Sequence, residues 1–426
     1  MILLVYLFTG PIFLFSINKD TLEQGKKEEV SEWEGVITMW DVPRTTTSGS
    51  TFGWLKTRIS EFEEEHPGVF IDLRELNYDN NREIIEKGAR ADAKDRPDLL
   101  PLFVEEKPLP LENIEPLGNW LSEGVKAEIR SEFMQAVTYN SKIYALPFAS
   151  SGNVLVMNTD LLKNIGCSIP SKKEWSYNEF IDFIQDIDKK KEQEDILAFD
   201  AYIGQGDGSI MPFILADGGQ IFQQEEQRFS FYQPEMVSGF QKLLNIKEVV
   251  TTHSQFGIRN KNDVYQDFLE NQKTAVLAAD SSIIYTLERL KAQNQGFSYE
   301  VFTFPKGNMD IPIWYGDDIS AYAMTKNQDQ EKQKMIVKFL EFLVQEERQE
   351  SLSSLGAFPV NQNTKELYDE DPLVKDWFKI GYEYQTHPLH PDWKEIEQKI
   401  VECIQSVITK ENTPTQACKK LQMQLE

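Results

Sequence analysis

The sequence predicts an α/β protein of two lobes joined by three passages of backbone. Three observations carry this. The chain has 426 residues, too many for one ordinary core. Between Gly35 and Leu76 it reads strand, helix, strand, which is a βαβ unit and demands a parallel pair. Finally, three breaks with strand-like flanks, at 147–152, 316–318 and 356–360, divide it into pieces that return to one another.

The elements follow in order. Residues 1–17 are apolar but too short for the ~20 residues of a spanning helix, and Gly10-Pro11 interrupts them. They read as a secretory segment or a retained anchor, although no basic residue precedes them and no clear cleavage site follows. The charged stretch from Asp20 to Glu34 reads as a tether. Gly35 to Trp40 is a strand. Trp54 to His66 is an amphipathic helix stopped by Pro67-Gly68, and Val69 to Leu76 alternates as a strand. A helix near 81–93 leads through Arg96-Pro97-Asp98 into a strand over 99–104.

Ile143 to Leu146 is a short strand stopped by Pro147. Asn153 to Met157 is a buried-strand run, and Asn158-Thr159-Asp160 caps the helix after it. Helices are expected at 177–189, 235–247, 283–292 and 332–349, and strands at 196–199 and 299–304. Residues 271–279 read as helix running into strand. Asp200 to Ser209 is a loose, glycine-rich loop, and nothing after its Gly204-x-Gly206-x-Gly208 reads as the start of a phosphate-binding helix. From Pro391 the tail carries two or three helices.

Composition narrows the function. Charged residues are 27% and hydrophobic ones 40%, so the chain is globular. A net charge of −25 repels phosphate backbones and anionic headgroups, which argues against a nucleic-acid binder and suits a neutral or cationic ligand. The cysteines Cys167, Cys403 and Cys418 are odd in number and lack metal-ligand spacing. Pairing of Cys403 with Cys418 and simple burial are both open. His387 and His390 are two histidines, too few for a metal site, and no metal or cofactor is expected.

Ligands of open α/β sheets bind beyond the carboxyl ends of the strands. Trp40 and Glu105 stand at such ends, and Phe148, Ser151, Trp314, Tyr315, Asp317 and Asp318 stand at the breaks. Asp207 lies in the glycine-rich loop. Trp54, Trp120, Trp175 and Trp377 read as core.

The runs FEEEHPGVFIDL, RPDLL, KIYALPFASSGNVLVMNTDLLKNIG, DFLENQKTAVLAAD, VFTFPKG, YGDDISAYAM and LGAFPVN, followed by a helical tail, occur in the order seen in the family 1 extracellular solute-binding proteins. Over residues 35–426 the chain resembles these substrate receptors of ABC importers, which include the maltose-binding type. The resemblance implies a type II periplasmic-binding-protein-like fold, each lobe a mostly parallel sheet flanked by helices. It assigns 1–34 to signal and tether, 35–148 with 319–357 to the first lobe, and 149–318 with 358–426 to the second. It also implies a monomeric receptor, outside the cytoplasmic membrane, that closes on a sugar or oligosaccharide and delivers it to permease subunits.

By resemblance, Glu105 is an acid that binds sugar hydroxyls, Ser151 faces the cleft, and Trp393 stacks on a sugar ring. Ser281 and Ser282 stand where many members carry a stacking tryptophan. No cysteine near the start matches the lipid-modified one of anchored members. The residues taken together give Trp40, Phe148, Trp314, Tyr315 and Trp393 as aromatic surface. Glu105, Ser151, Asp207, Ser282, Asp317 and Asp318 are the polar rim. The alternatives are a carbohydrate-active enzyme with a carboxylate pair, for which no spacing singles out the pair, and a peptide or polyamine receptor.

Overall fold

A computed structural model describes residues 33–426, apart from 45–48, 78–80, 93, 104–109, 192–194, 224–225, 251–253, 317–318 and 365–381. The N-terminal apolar segment, Glu105, Asp317, Asp318, His253 and Trp377 therefore lie outside the described residues.

The chain opens with β1 (Gly35–Asp41), α1 (Gly53–Glu65), β2 (Val69–Glu75), α2 (Asn81–Arg90) and β3 (Leu99–Phe103). Next come β4 (Leu146–Ser150), β5 (Asn153–Asn158), α3 (Thr159–Asn164) and α4 (Tyr177–Lys190). Then follow β6 (Leu197–Ala201), α5 (Met211–Leu215), α6 (Pro234–Val249), α7 (Lys261–Leu269), β7 (Thr274–Asp280), α8 (Ile283–Ala292) and β8 (Tyr299–Phe302). The chain ends with β9 (Ile313–Tyr315), β10 (Ile319–Met324), α9 (Gln330–Leu343), β11 (Phe358–Pro359), β12 (Glu383–Gln385), α10 (Trp393–Ile408) and α11 (Pro414–Leu425).

Two main sheets result. The first has the order β11-β4-β10-β3-β1-β2, and the second β8-β5-β7-β6. The βαβ unit is parallel as expected, with Gly35 opposite Val69 and Met39 opposite Leu99. Both sheets are more mixed than that unit alone implies: β10 runs antiparallel to β3 and β4, and β5 antiparallel to β7. The cause is the route of the chain. It leaves the first sheet at the carboxyl end of β4 and re-enters at that same edge through Ile319, so β10 can only run backwards. The expected boundary after residue 148 falls inside β4, and that after 357 falls just before β11.

Sequence explains the second sheet's two faces. In β5, Val154 and Val156 join a core shared with the first lobe, while Leu155 and Met157 join a separate core under α4 and α6. Successive side chains of a strand point to opposite faces, so a run apolar at every position is buried on both sides. Asn158 caps α3 by accepting from the Leu161 N–H, and Ser176 and Glu179 form a capping box on α4. All three cysteines are buried thiols without a disulfide.

Gln349 ties the third break to the first lobe. Its amide donates to the carbonyls of Phe148 (2.8 Å) and Leu343 (3.0 Å), and its oxygen accepts from the Val360 N–H at 2.9 Å. The side chain is fully enclosed, so each unmade bond would leave a buried polar group unsatisfied.

Candidate functional site

The carboxyl edges of the two sheets meet at Ser151-Gly152. Ser150 ends β4 opposite Ile319 and Phe358, and Asn153 starts β5 opposite Asp280, the last residue of β7. The parallel strands β6 and β7 both finish at this side of the second sheet. In the first sheet Asp41 ends β1, and Phe103, at the end of β3, lies opposite Ser320.

Three of the residues expected from sequence gather around one cavity. Asp207, Tyr315 and Trp393 line a mostly apolar space of about 30 Å³, together with His387 and Glu397. That is room for one or two water-sized groups, a foothold for part of a ligand rather than for a whole sugar ring. The glycine-rich loop that carries Asp207 is pinned to α10, which corrects the expectation of a loose segment. Its Gly206 N–H donates to Glu397 at 2.9 Å and the Gln205 side chain donates to the Lys394 carbonyl at 2.8 Å. Asp207 is 8% exposed, faces the Lys261 ammonium at 2.9 Å and accepts from the Ser209 N–H at 3.1 Å.

Trp393 does not offer an open face. His387 stacks on it at 4.3 Å, 12° from parallel, and Phe229 lies on it at 6.3 Å and 28°. What it offers is an edge: its buried indole N–H finds no acceptor among the described residues. Tyr315 and Trp314 are neighbours on β9, and strand alternation sends them to opposite sides. Tyr315 joins the cavity just described. Trp314 faces a second cavity of about 80 Å³ with Tyr382, Tyr384 and Phe358, and packs edge-on against Phe358 at 4.6 Å and Tyr382 at 4.7 Å.

The remaining residues scatter. Phe148 is sealed in a ring stack, 5.5 Å from Trp54 and 4.7 Å from Tyr322, so neither face is open to a ligand. Trp40 lies under the Arg74 guanidinium at 4.3 Å, with Gly88 of α2 against its ring. Ser151 is buried, and its hydroxyl has no partner among the described residues. Ser282 is exposed, with its N–H donating to Asp280 at 2.8 Å.

Sequence reasoning missed a group at the first lobe's edge. Asp41, 1% exposed, accepts from the Arg44 guanidinium at 2.6 and 2.7 Å and from the Tyr322 hydroxyl at 2.8 Å. Arg44 also donates to Ser320 at 3.2 Å and lies over the Phe148 ring at 5.2 Å. Burial, reinforced by the Asp41 charge, pushes the Tyr322 phenol well above its ordinary range. The signal was present in the sequence as an aspartate at a strand end with an arginine three residues on. His387 was noted in sequence only as half of a two-histidine loop. Burial, the largest cause, holds the His390 imidazole below its ordinary range, beside Phe229 and Tyr139.

Comparisons with known proteins bear on this geometry. A family model described as bacterial extracellular solute-binding protein matches residues 57–379. A comparison with curated protein sequences gave no match. Among solved structures, a cyclic α-maltosyl-1,6-maltose binding protein of Arthrobacter globiformis superposes with a TM-score of 0.75 at 13% identity, covering 92% of this chain and 98% of that one. The sugar-binding protein MalE of Xanthomonas citri gives 0.73 at 15%, covering 92% and 96%. An ABC substrate-binding protein of Listeria monocytogenes in complex with cycloalternan gives 0.66 at 16%, covering 92% and 98%. At such identities the likeness is one of fold.

Proposed function

We propose that this chain, which belongs to the family of bacterial extracellular solute-binding proteins, captures a sugar or oligosaccharide between its lobes and passes it unaltered to the permease of an ABC importer. It acts as a receptor, not an enzyme, and works as a monomer. The lobes divide at Ser151, between Tyr315 and Ile319, and after Pro359. Among the described residues no helix is long and apolar enough to cross a membrane. The apolar segment 1–17 is the proposed signal or anchor.

One observation carries the carbohydrate reading: aromatic edges and carboxylates meet in a cavity of the second lobe, lined by the loop that follows β6. A sugar presents apolar C–H faces and a rim of hydroxyls. Aromatic surface covers the first at ~1.5–3 kcal/mol per fully buried side chain, and each neutral hydrogen bond to the second adds ~0.5–1.5 kcal/mol. The Trp393 N–H donates to a hydroxyl oxygen, and Asp207 accepts from a hydroxyl. Tyr315 supplies surface between them. Ser151 and Ser282 and, from the sequence alone, Glu105, Asp317 and Asp318 are the remaining proposed polar partners of the sugar.

The test is calorimetric titration of an oligosaccharide panel. For the sugar that binds, Trp393→Phe keeps an aromatic ring, though a smaller one, and deletes the donor, so affinity falls about tenfold. Asp207→Asn falls by a similar factor. Unchanged affinity in both variants would remove this cavity from the site.

A further inference from the structure

In or just before each of the three passages between the lobes stands a glycine where an aromatic ring occupies the place of a side chain. A Cβ on Gly152, in the first passage, would lie 1.1 Å from Trp314 Nε1. One on Gly316, in the second, would lie 1.8 Å from the Tyr384 hydroxyl oxygen, and one on Gly356, before the third, 1.9 Å from a Tyr285 ring carbon. No side chain fits at any of these positions unless its ring moves.

Two of the rings come from strands beside a neighbouring passage, and the third from a helix of the second lobe. Trp314 belongs to the second passage and covers the first. Tyr384, on β12, belongs to the return of the third and covers the second. Tyr285, on α8 of the second lobe, covers the third, and its hydroxyl donates to the Ser353 carbonyl of the first lobe. Hydrogen bonds follow the same circuit. Asn153 donates through its side chain to the Tyr315 carbonyl at 2.9 Å, and the Gly316 N–H donates to the Gln385 carbonyl at 3.0 Å. Trp314 and Tyr384 also meet ring to ring at 6.2 Å.

We infer that the three passages form one interlocked unit, in which Trp314, Tyr384 and Tyr285 are positioning residues that set the separation of the lobes and through it the affinity for ligand. The link to affinity rests on the receptor reading above; the interlock itself does not. The first two passages cannot turn without displacing the rings of Trp314 and Tyr384, which stand on strands beside a neighbouring passage, and Gly356 cannot turn without displacing Tyr285 of the second lobe. The lobes therefore move as a two-state pair, and the fraction in the binding-competent state scales the apparent affinity.

The test is a pulsed electron-spin distance measurement on the full chain without ligand. Spin labels go on Glu64→Cys in α1 and Lys189→Cys in α4, both exposed positions, while the three native thiols are buried. Gly152→Ala and Gly316→Ala should each move the distance distribution away from the wild type. Because both break one unit, the double variant should move it no further than either single one. Gly118→Ala, where a Cβ meets nothing within 4 Å, should leave it unchanged. Wild-type distances in both folded glycine variants, or shifts that add, would overturn the interlock.

Should the glycine variants not fold, Trp314→Phe and Tyr285→Phe decide. A broadened distribution supports the interlock, and an unchanged one overturns it. Maltotriose and chitotriose titrations on the same samples separate the two ideas. Moved distances with no sugar bound by any variant or the wild type would sink the sugar reading and leave the interlock standing.

Discussion

Replacing Phe148 by alanine should cost the first lobe about 3–5 kcal/mol, the range for deleting a buried aromatic ring. Phe148 is 1% exposed and forms the middle of a three-ring stack. Tyr322 lies 5° from parallel on one side and Trp54 13° on the other, with Arg44 alongside. Its carbonyl also receives the Gln349 amide, so collapse around the vacated ring is hindered by a fixed backbone. Urea unfolding followed by tryptophan fluorescence reads the result as a lower midpoint with an unchanged slope. Phe148→Leu, which keeps most of the volume, should lose much less. A loss under about 1 kcal/mol for the alanine variant would mean that the ring is not enclosed as described.

Asp217 should give an effect of the same size, with a pH signature. Its side chain is fully enclosed, pairs with the Lys242 ammonium at 2.6 Å, and accepts from the Ser238 hydroxyl and from the Asn308 N–H at 2.8 Å. It thereby fastens α6 to the turn that follows β8. Asp217→Asn leaves Lys242 facing an uncharged group, and breaking one half of a buried pair costs about 3–5 kcal/mol. Burial alone would raise the carboxyl group's pKa. The hydrogen bonds from Lys242, Ser238 and Asn308 and the Lys242 charge outweigh it, and the net shift is downward.

The sign follows from linkage. A carboxylate held below its unfolded value of about 3.9 contributes fully above that pH and loses its contribution as pH falls through the folded value. Asp267, hydrogen-bonded by Asn271 and Arg259, is shifted the same way despite its own burial. Melting temperature against pH should therefore fall steeply below about pH 4 in the wild type. In Asp217→Asn the curve should start lower and fall less steeply. Parallel curves would show that Asp217 is not the titrating group.

Much of the fold was legible because local and global signals agree. The alternation of Val69 to Leu76, the stop at Pro67-Gly68 and the cap at Asn158 each name an element, and each has its place in the structure. Where they disagree, sequence reading slips. Residues 271–279 look helical at their start, but α7 ends at Leu269 and Gln272 turns at a φ of +53° before β7 begins at Thr274.

The site was less legible, for one physical reason. A strand buried on both faces carries no alternation, so sequence cannot tell which side of β4 or β9 faces a ligand. Phe148 looked like open surface and is sealed. Trp314 and Tyr315 looked equivalent and belong to different cavities. Asp207 and Trp393, far apart in the chain, meet only because the 204–209 loop is fastened to α10. The Asp41, Arg44 and Tyr322 group needs β10 to return between β3 and β4, one strand from β1, which no local pattern announces.

The central claim is that two linked lobes bind a polyhydroxylated guest and release it intact. The most direct measurement is a thermal-shift titration of the full chain with mono- and oligosaccharides, followed by chromatography of the recovered sugar. The account predicts that at least one sugar raises the melting temperature in a concentration-dependent way, equivalent to about 2.7 kcal/mol at a hundredfold excess over Kd, and is recovered unchanged. No shift across the panel, or a bound sugar returned as shorter fragments, would contradict it.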